Sequence, residues 1–280
     1  MADITAASVK SLRERTDLPM MECKKALVEA DGDTEKAVEI LKAQFRKIQD
    51  KRANNATEEG RIFFQLADDG SHGAMVEIQC ESAPVATGES LSKFGSAMVG
   101  QLLNGPGADS PETLMSQTPD GSTSLQTQYE ELVNKIREKI VVNRVARVAG
   151  PVDGYVHHDG KTGVMFQAKG ETDADILRDV AMHIAAMRPS VTRPAEVDPV
   201  LVQEERSRLS DEARATGKSD NIIERIVDGR MKNFFVEQGV LLAQAFAKDD
   251  SKTVEKVLKE CNIEAVGFHR WQVGGGASGA

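Results

Sequence analysis

Residues 69–77 read DGSHGAMVE, and a related stretch, DGKTGVMFQ, follows 90 positions later at residues 159–167. In both stretches an Asp-Gly pair, which is typical of a hairpin turn, precedes a run of β-forming residues. Each copy is followed by a short polar loop and by a segment with helical spacing, at residues 90–103 and 174–187. The repeat predicts two similar units, each with a helix packed on an antiparallel sheet.

The segments around this repeat predict the rest of an α+β fold. Residues 1–53 contain three segments with helical spacing and turn signals between them, which indicates a compact helical module. Residues 197–240 predict two charged helices joined by a tight turn, an antiparallel hairpin of the kind that more often serves a partner than the core. The alternating stretch 266–273 predicts a further strand for the second unit.

These elements predict five segments of the chain. They are a helical module at 1–53, a first core subdomain at 57–140, a second core subdomain at 141–196 and 241–274, an inserted helical hairpin at 197–240, and a flexible tail at 275–280.

The composition excludes several classes of protein. The chain has 44 acidic and 35 basic side chains and a net charge of −9, which disfavours direct binding to nucleic acid. Its three cysteines, Cys23, Cys80 and Cys261, are far apart, so we expect a reducing compartment and no disulfide framework. There is no apolar run of about 18 residues and no signal-peptide pattern, so the sequence predicts a cytoplasmic protein with no membrane partner.

The sequence contains no motif that points to bond chemistry. Gly217-Lys218-Ser219 resembles the end of a phosphate-binding loop, but Glu212 stands where that motif needs its first glycine. His157 and His158 have no third metal ligand at a suitable spacing, so we interpret them as an exposed turn pair. No nucleophile motif or carboxylate pair stands out. We therefore expect neither an enzyme nor a cofactor-binding or metal-binding protein.

One histidine has two interpretations of roughly equal weight. His183 lies beside the apolar stripe that Ile176, Val180, Ile184 and Met187 form on the predicted helix 174–187. It is either a satisfied, partly buried histidine or a contact to a partner.

Several motifs resemble the bacterial elongation factor Ts family, and in order they cover nearly the whole chain. They are LRERT at 12–16, MMECKKAL at 20–27, ADGD at 30–33, RVA at 144–146, AMHIAA at 181–186, GRMK at 229–232 and SKTV at 251–254. The resemblance implies a ubiquitin-associated-like three-helix module, two similar core subdomains and a coiled-coil hairpin. It also implies a guanine-nucleotide exchange factor whose partner is elongation factor Tu. Whether the two proteins form a higher-order assembly is left open.

The resemblance further implies which residues contact Tu. In this family the turn before the second helix presents methionines to a helix of Tu, a role that suits their flexible, polarisable side chains. The expected contact residues are Met20, Met21, Lys24, Ser82, Ala83, Pro84, Val85, His157, His183, Arg230 and Phe246. For Met20 and Met21 the alternative is that one of the two is a core residue.

The sequence departs from the family in the segment that acts on the nucleotide site. The family's Thr-Asp-Phe run, whose aromatic wedges into Tu near the magnesium ion, is replaced by Ser82-Ala83-Pro84. A second departure follows Phe246, where Ala247-Lys248 replaces an apolar pair. A Tu-binding module with weak or no exchange activity is therefore the alternative to an exchange factor, and an enzyme of unknown type is a distant third.

Overall fold

The chain, described by a computed structural model, is divided into two compact units. The structure describes residues 4–16, 18–119, 123–171, 173–217 and 219–275. The first unit comprises residues 1–65 and 74–147, and the second comprises residues 66–73 and 148–280. Both units combine helices with a small sheet, so the predicted α+β class is confirmed at this level.

The first unit begins with three helices, as predicted for residues 1–53. They are α1 (Ala6–Thr16), α2 (Met20–Glu29) and α3 (Thr34–Arg52). The Thr5 hydroxyl accepts a hydrogen bond from the backbone N–H of Ser8 at the start of α1, and the Asp33 carboxylate caps α3. These caps satisfy N–H groups that have no partner inside the helix. The three helices enclose a small aliphatic core that includes Val9, Leu12, Leu18, Cys23, Ala26, Leu27, Ala37 and Leu41.

A three-stranded sheet covered by helices forms the rest of the first unit. Its strands, in the order β1-β2-β3, are β1 (Glu59–Leu66), β2 (His72–Cys80) and β3 (Ile140–Ala149). The helices are α4 (Ala83–Ala86), α5 (Glu89–Asn104), α6 (Pro111–Met115) and α7 (Leu125–Ile136). The predicted stripe of α5, formed by Leu91, Phe94, Met98 and Leu102, is buried in the main core of this unit.

The structure corrects one boundary of the sequence prediction. We expected a helix through Ile140 and the start of the second subdomain at residue 141. Instead α7 ends at Ile136, Arg137 adopts a left-handed conformation with φ of 61°, and Ile140 begins β3 in the first sheet. The partly buried Arg144 side chain on β3 forms an ion pair with the fully buried Glu77 on β2. The division between the units lies after residue 147.

The second unit repeats the plan of a sheet covered by helices. Strands β4 (Val152–Val156), β5 (Thr162–Gly170) and β8 (Ile263–Gln272) form an antiparallel sheet in the order β4-β5-β8, which confirms the predicted C-terminal strand. The other elements are α8 (Ala174–Met187), β6 (Ala245–Phe246), β7 (Asp249–Thr253) and α11 (Val254–Glu260). Helix α8 packs on the sheet through Leu177, Val180, Ala181 and Ile184. Met187, which we placed in the apolar stripe, is exposed, so the prediction is wrong for this residue.

The two hairpin turns that define the repeat have the same hydrogen bonds. In each turn the aspartate carboxylate accepts from the backbone N–H two residues later, at 2.9 Å for Asp69 and 2.8 Å for Asp159. The following glycine has a positive φ in both copies, 67° for Gly70 and 72° for Gly160. Glycine adopts this conformation without a steric penalty, which is why both copies keep the Asp-Gly pair.

The predicted helical hairpin is formed by α9 (Pro199–Arg214) and α10 (Asp220–Glu237). Its interior contains Leu209, Ala213, Ile223, Val227 and Met231. Ile222, although it has helical spacing to the apolar residues of α10, is exposed. Lys218 in the turn and the tail at 276–280 lie outside the described residues. Within the described part of the chain, no helix is both long and apolar enough to cross a membrane.

A glycine in α5 provides a test of the packing of this helix on its sheet. A Cβ on Gly95 would overlap the ring of Phe63, whereas a Cβ on Gly100 would make only ordinary contact with Gln65. Gly95→Ala should lower the free energy of unfolding by about 1–3 kcal/mol, because the overlap outweighs the gain in helix propensity. The matched change Gly100→Ala should raise it by about 0.5–1 kcal/mol. Urea denaturation of both variants measures this, and equal effects would contradict the packing described here.

Candidate partner-binding surfaces

One face of α2 exposes two methionines at the start of the helix. Met20 and Met21 are 42% and 61% exposed, so the alternative that one of them belongs to the core is wrong. Cys23, Ala26 and Leu27 form the buried face of the same helix. Since residues that are three, four or seven positions apart share a helix face, Met21 lies beside exposed Lys24.

The same face contains a residue that the sequence analysis missed. Val28 is 58% exposed and lies one turn beyond Lys24. Val28 is seven residues after Met21, and this spacing could have placed it on the same face of the helix. An exposed apolar strip of this kind is typical of a surface that binds another protein. We call Met20, Met21, Lys24 and Val28 the α2 face.

The segment that replaces the family's Thr-Asp-Phe run forms a short helix. Ser82 precedes α4, Ala83 and Pro84 are exposed, and Val85 packs partly against the core of the first unit. Of the two apolar side chains Pro84 and Val85, Pro84 is therefore the accessible one. We call residues 82–85 the α4 loop. Next to it, the Cys80 thiol is buried, and this burial raises its pKa to about 11, so the thiol stays protonated at neutral pH.

A single turn between α7 and β3 anchors both of these segments within the first unit. The Arg137 guanidinium forms an ion pair of 3.0 Å with Glu22, the residue after Met21. The Ser82 hydroxyl lies 2.8 Å and 3.0 Å from the two carboxylate oxygens of Glu138 and donates to that carboxylate. The backbone N–H of Lys139 donates to the Glu81 carboxylate. The α2 face and the α4 loop are thus each held beside residues 137–139.

Glu81 strengthens this arrangement because it binds three groups at once. Besides the Lys139 N–H, its carboxylate accepts from Arg52 at 2.7 Å and from Asn55 at 2.8 Å. The Lys139 ammonium in turn donates to the carbonyls of Ala53 and Asn55. The end of α3 is therefore hydrogen-bonded to Glu81, the residue that precedes the α4 loop. The sequence offered no signal for these contacts, because the partners are up to 86 residues apart.

In the second unit, His183 is buried and its hydrogen bonds are satisfied. It is 1% exposed, its Nε2 lies 2.9 Å from the Gln244 Oε1, and its Nδ1 accepts from the backbone N–H of Ala247 at 3.1 Å. Because Nδ1 accepts, Nε2 carries the proton and donates to Gln244. Burial lowers the pKa of His183. The structure thus corrects the prediction that His183 contacts a partner directly. It supports the alternative, a buried histidine with satisfied hydrogen bonds.

Phe246 also requires a correction. It is 4% exposed, lies in the hydrophobic core of the second unit, and packs against the His183 ring with 5.9 Å between centroids. An aromatic ring enclosed in this way cannot reach a partner directly. From β6, its ring fills the core of the second unit beside His183 of α8.

The remaining two predicted contact residues of the second unit are accessible. His157 is half-buried at the turn, with its Nδ1 2.9 Å from the Tyr155 hydroxyl and its ring beside exposed His158. Arg230 is exposed on α10 and donates to Glu212 of α9 at 2.6 Å. Both stay predicted contacts. Among the described residues, no group of three or more His, Cys, Asp or Glu side chains could hold a metal ion.

Comparisons with known proteins place the chain in a family. The sequence profile described as "Elongation factor TS" matches residues 81–275. The chain belongs to the elongation factor Ts family.

Relatives from several bacteria match almost end to end. The elongation factor Ts of Thioalkalivibrio sulfidiphilus is 38% identical over 276 residues, covering 98% of this chain and 93% of its own length. That of Thiobacillus denitrificans is 39% identical, covering 99% and 94%. That of Paenarthrobacter aurescens is 38% identical, covering 98% and 100%. The family resemblance found in the sequence is thereby confirmed.

The buried histidine predicts a specific loss of stability in acid. Its folded-state pKa lies below the unfolded value of about 6.5, so the unfolded chain binds more protons and stability falls as the pH drops below about 6.5. For one group the slope is at most about 1.4 kcal/mol per pH unit. In His183→Gln this contribution is absent, so the unfolding free energy should change less between pH 7.5 and 5.5 than in the wild type.

Urea denaturation at several pH values measures this difference. His158→Gln, a change in the exposed neighbour of His157, is the control and should keep the slope of the wild type. Equal slopes for the wild type and His183→Gln would show that His183 is not held neutral by its burial.

Proposed function

We propose that this chain is a guanine-nucleotide exchange factor that binds elongation factor Tu with bound GDP and promotes GDP release so that GTP can bind. The observation that carries the proposal is membership of the elongation factor Ts family along nearly the whole chain. The exposed α2 face and the anchored α4 loop support it, since an exchange factor needs accessible surfaces rather than a catalytic pocket.

The mechanism requires no bond chemistry in this chain. The exchange factor binds nucleotide-free Tu more tightly than nucleotide-bound Tu, and by linkage it weakens GDP binding by the same factor. Magnesium bridges nucleotide and protein in near-ideal octahedral geometry, so a small displacement near the ion weakens the nucleotide.

The two surfaces have different tasks in this mechanism. The α2 face supplies apolar contact area, to which flexible methionines adapt. The α4 loop acts on the nucleotide site. Its exposed Pro84 is stiff, and the Ser82–Glu138 hydrogen bond holds the start of the loop in place. Pre-organisation of this kind reduces the entropy that binding would otherwise cost. We infer that Pro84, in place of an aromatic ring, displaces the magnesium ion less effectively. Exchange then depends more on the other contacts with Tu.

Release of a fluorescent GDP analogue from Tu of the same organism, followed by stopped flow, tests the function. We expect the rate of release to rise and saturate with increasing concentration of this protein. In Met20→Ala/Met21→Ala the concentration for half-maximal rate should rise about tenfold or more, because two exposed apolar anchors are truncated.

The control for this variant is Glu29→Ala, an exposed change on another side of α2. It should leave the half-maximal concentration unchanged. If the wild type binds Tu without accelerating GDP release, the proposed exchange function is wrong. If the two variants have the same half-maximal concentration, the α2 face does not contact Tu.

The α4 loop makes a separate prediction about magnesium. Pro84→Ala/Val85→Ala should lower the maximal release rate severalfold and flatten its dependence on magnesium concentration, with a smaller effect on the half-maximal concentration. Glu89→Gln, an exposed change in the first turn of α5, is the control. An unaltered maximal rate in the double variant, with unfolding unchanged, would mean that the loop is dispensable.

A further inference from the structure

The connection between the three-helix module and the first sheet has no regular structure of its own. Residues 53–58 lie between α3 and β1 and carry small or polar side chains. A module that is attached only by such a connection can reorient, because few contacts cross it. The α2 face lies on the module, whereas the α4 loop follows the connection in the chain. The relative position of these two predicted contact surfaces therefore depends on what fixes the connection.

A cluster of charged and polar side chains fixes it. The Glu81 side chain is 17% exposed, and its carboxylate accepts from the Arg52 guanidinium at the end of α3 and from the Asn55 amide in the connection. The backbone N–H of Lys139 donates to the same carboxylate. The Lys139 ammonium donates to the carbonyls of Ala53 and Asn55, at 2.6 Å and 3.0 Å. We call Arg52, Asn55, Glu81 and Lys139 the Glu81 cluster.

This cluster is stronger than an ordinary surface ion pair. Its hydrogen bonds involve charged groups and are partly shielded from water, which makes each stronger than a neutral hydrogen bond. The Lys139 ammonium also lies at the C-terminal end of α3, where the last carbonyls have no partner inside the helix and a cation is favourable. Ile48, one turn before Arg52, packs against the core of the first unit. These contacts together hold α3, and the module with it, in one orientation.

We propose that the Glu81 cluster holds the three-helix module in the orientation in which the α2 face and the α4 loop bind the same partner protein together. The members of the cluster are positioning residues, which act through the two surfaces and not by contact with the partner. When the module is already oriented, binding at one surface places the other at its target, so the second contact costs little further entropy. A module free to reorient would lose that freedom on binding. The identity of the partner as Tu rests on the proposed function.

The variant Arg52→Met/Lys139→Met loosens the cluster and leaves both surfaces unchanged. Methionine keeps much of the apolar stem of each side chain but removes the side-chain donors to Glu81 and to the connection. The Lys139 backbone N–H still donates to Glu81, so the α4 loop keeps its own anchors. The matched control is Lys47→Met/Lys51→Met, which removes the same charge from exposed positions of α3.

A distance measurement tests the orientation of the module without any partner. Spin labels are attached at Glu29→Cys on α2 and Glu89→Cys on α5, two exposed positions, in a chain that also carries Cys261→Ser. Cys23 and Cys80 are buried and stay unlabelled. Double electron–electron resonance should give one narrow distance distribution for the wild-type cluster and for the control, and a broad one for the loosened variant. An equally narrow distribution in the loosened variant would overturn the proposal.

The GDP-release assay with Tu tests the use of this orientation in binding. In the loosened variant the half-maximal concentration should rise about fivefold or more, because the module must be ordered when it binds. The maximal rate should stay as in the wild type, since both surfaces are intact once the complex has formed. Arg52→Lys/Lys139→Arg keeps a cation at both positions and should restore most of the wild-type concentration. Urea denaturation checks that every variant is fully folded under the assay conditions.

The outcomes separate this proposal from the exchange function. If the loosened variant has a broad distance distribution but an unchanged half-maximal concentration, binding does not use the orientation, and the proposal is wrong while the exchange function stands. If only the maximal rate falls, the change acts on the α4 loop itself, and the positioning of the module is again wrong. If the wild type does not accelerate GDP release, the proposed function fails and Tu is lost as the partner. The distance measurement then still decides whether the Glu81 cluster fixes the module.

Discussion

The turn formed by Arg137, Glu138 and Lys139 holds the two predicted contact segments of the first unit in place. Its contacts differ in strength. The Arg137–Glu22 ion pair is open to water on its Arg137 side, which is 52% exposed, and contributes little, about 0–1 kcal/mol. The bonds from the Ser82 hydroxyl to Glu138 and from the Lys139 N–H to Glu81 are partly shielded from water and involve charged acceptors, which makes each stronger than a neutral hydrogen bond. The α4 loop is therefore the more firmly anchored of the two predicted contact segments.

Charged and polar groups in the interior of this chain are of two kinds. Glu77 is paired, and His183 is neutral with both nitrogens satisfied, so these groups stabilise a single packing of their units. The Arg270 Nε is buried and has no hydrogen-bond partner among the described residues. A buried donor of this kind is unfavourable, because it loses its hydrogen bonds to water when the chain folds.

Sequence patterns predicted those features that depend on local spacing. The Asp-Gly turns at 69–70 and 159–160, the core face of α5 and the exposure of at least one methionine at the start of α2 follow from periods of two and of 3.6 residues. The burial of His183 and Phe246 could not be read in this way. His183 lies beside an apolar stripe, and its exposure depends on whether Gln244 and β6 cover it. Gln244 is 61 residues further along the chain, so no local pattern indicates this contact.

By itself, the sequence determined the family, the α+β class, the repeated hairpin-and-helix plan and the exposure of at least one methionine at the start of α2. All of these are encoded in short-range periodicity, turn chemistry and motif order. Only the tertiary structure decided that Ile140 starts a strand of the first sheet, that residues 137–139 anchor both predicted contact segments, and that the buried Arg270 Nε has no hydrogen-bond partner among the described residues. Each of these depends on groups that are distant in the chain and adjacent in space, such as Ser82 and Glu138, which are 56 residues apart, and no local pattern records such pairings.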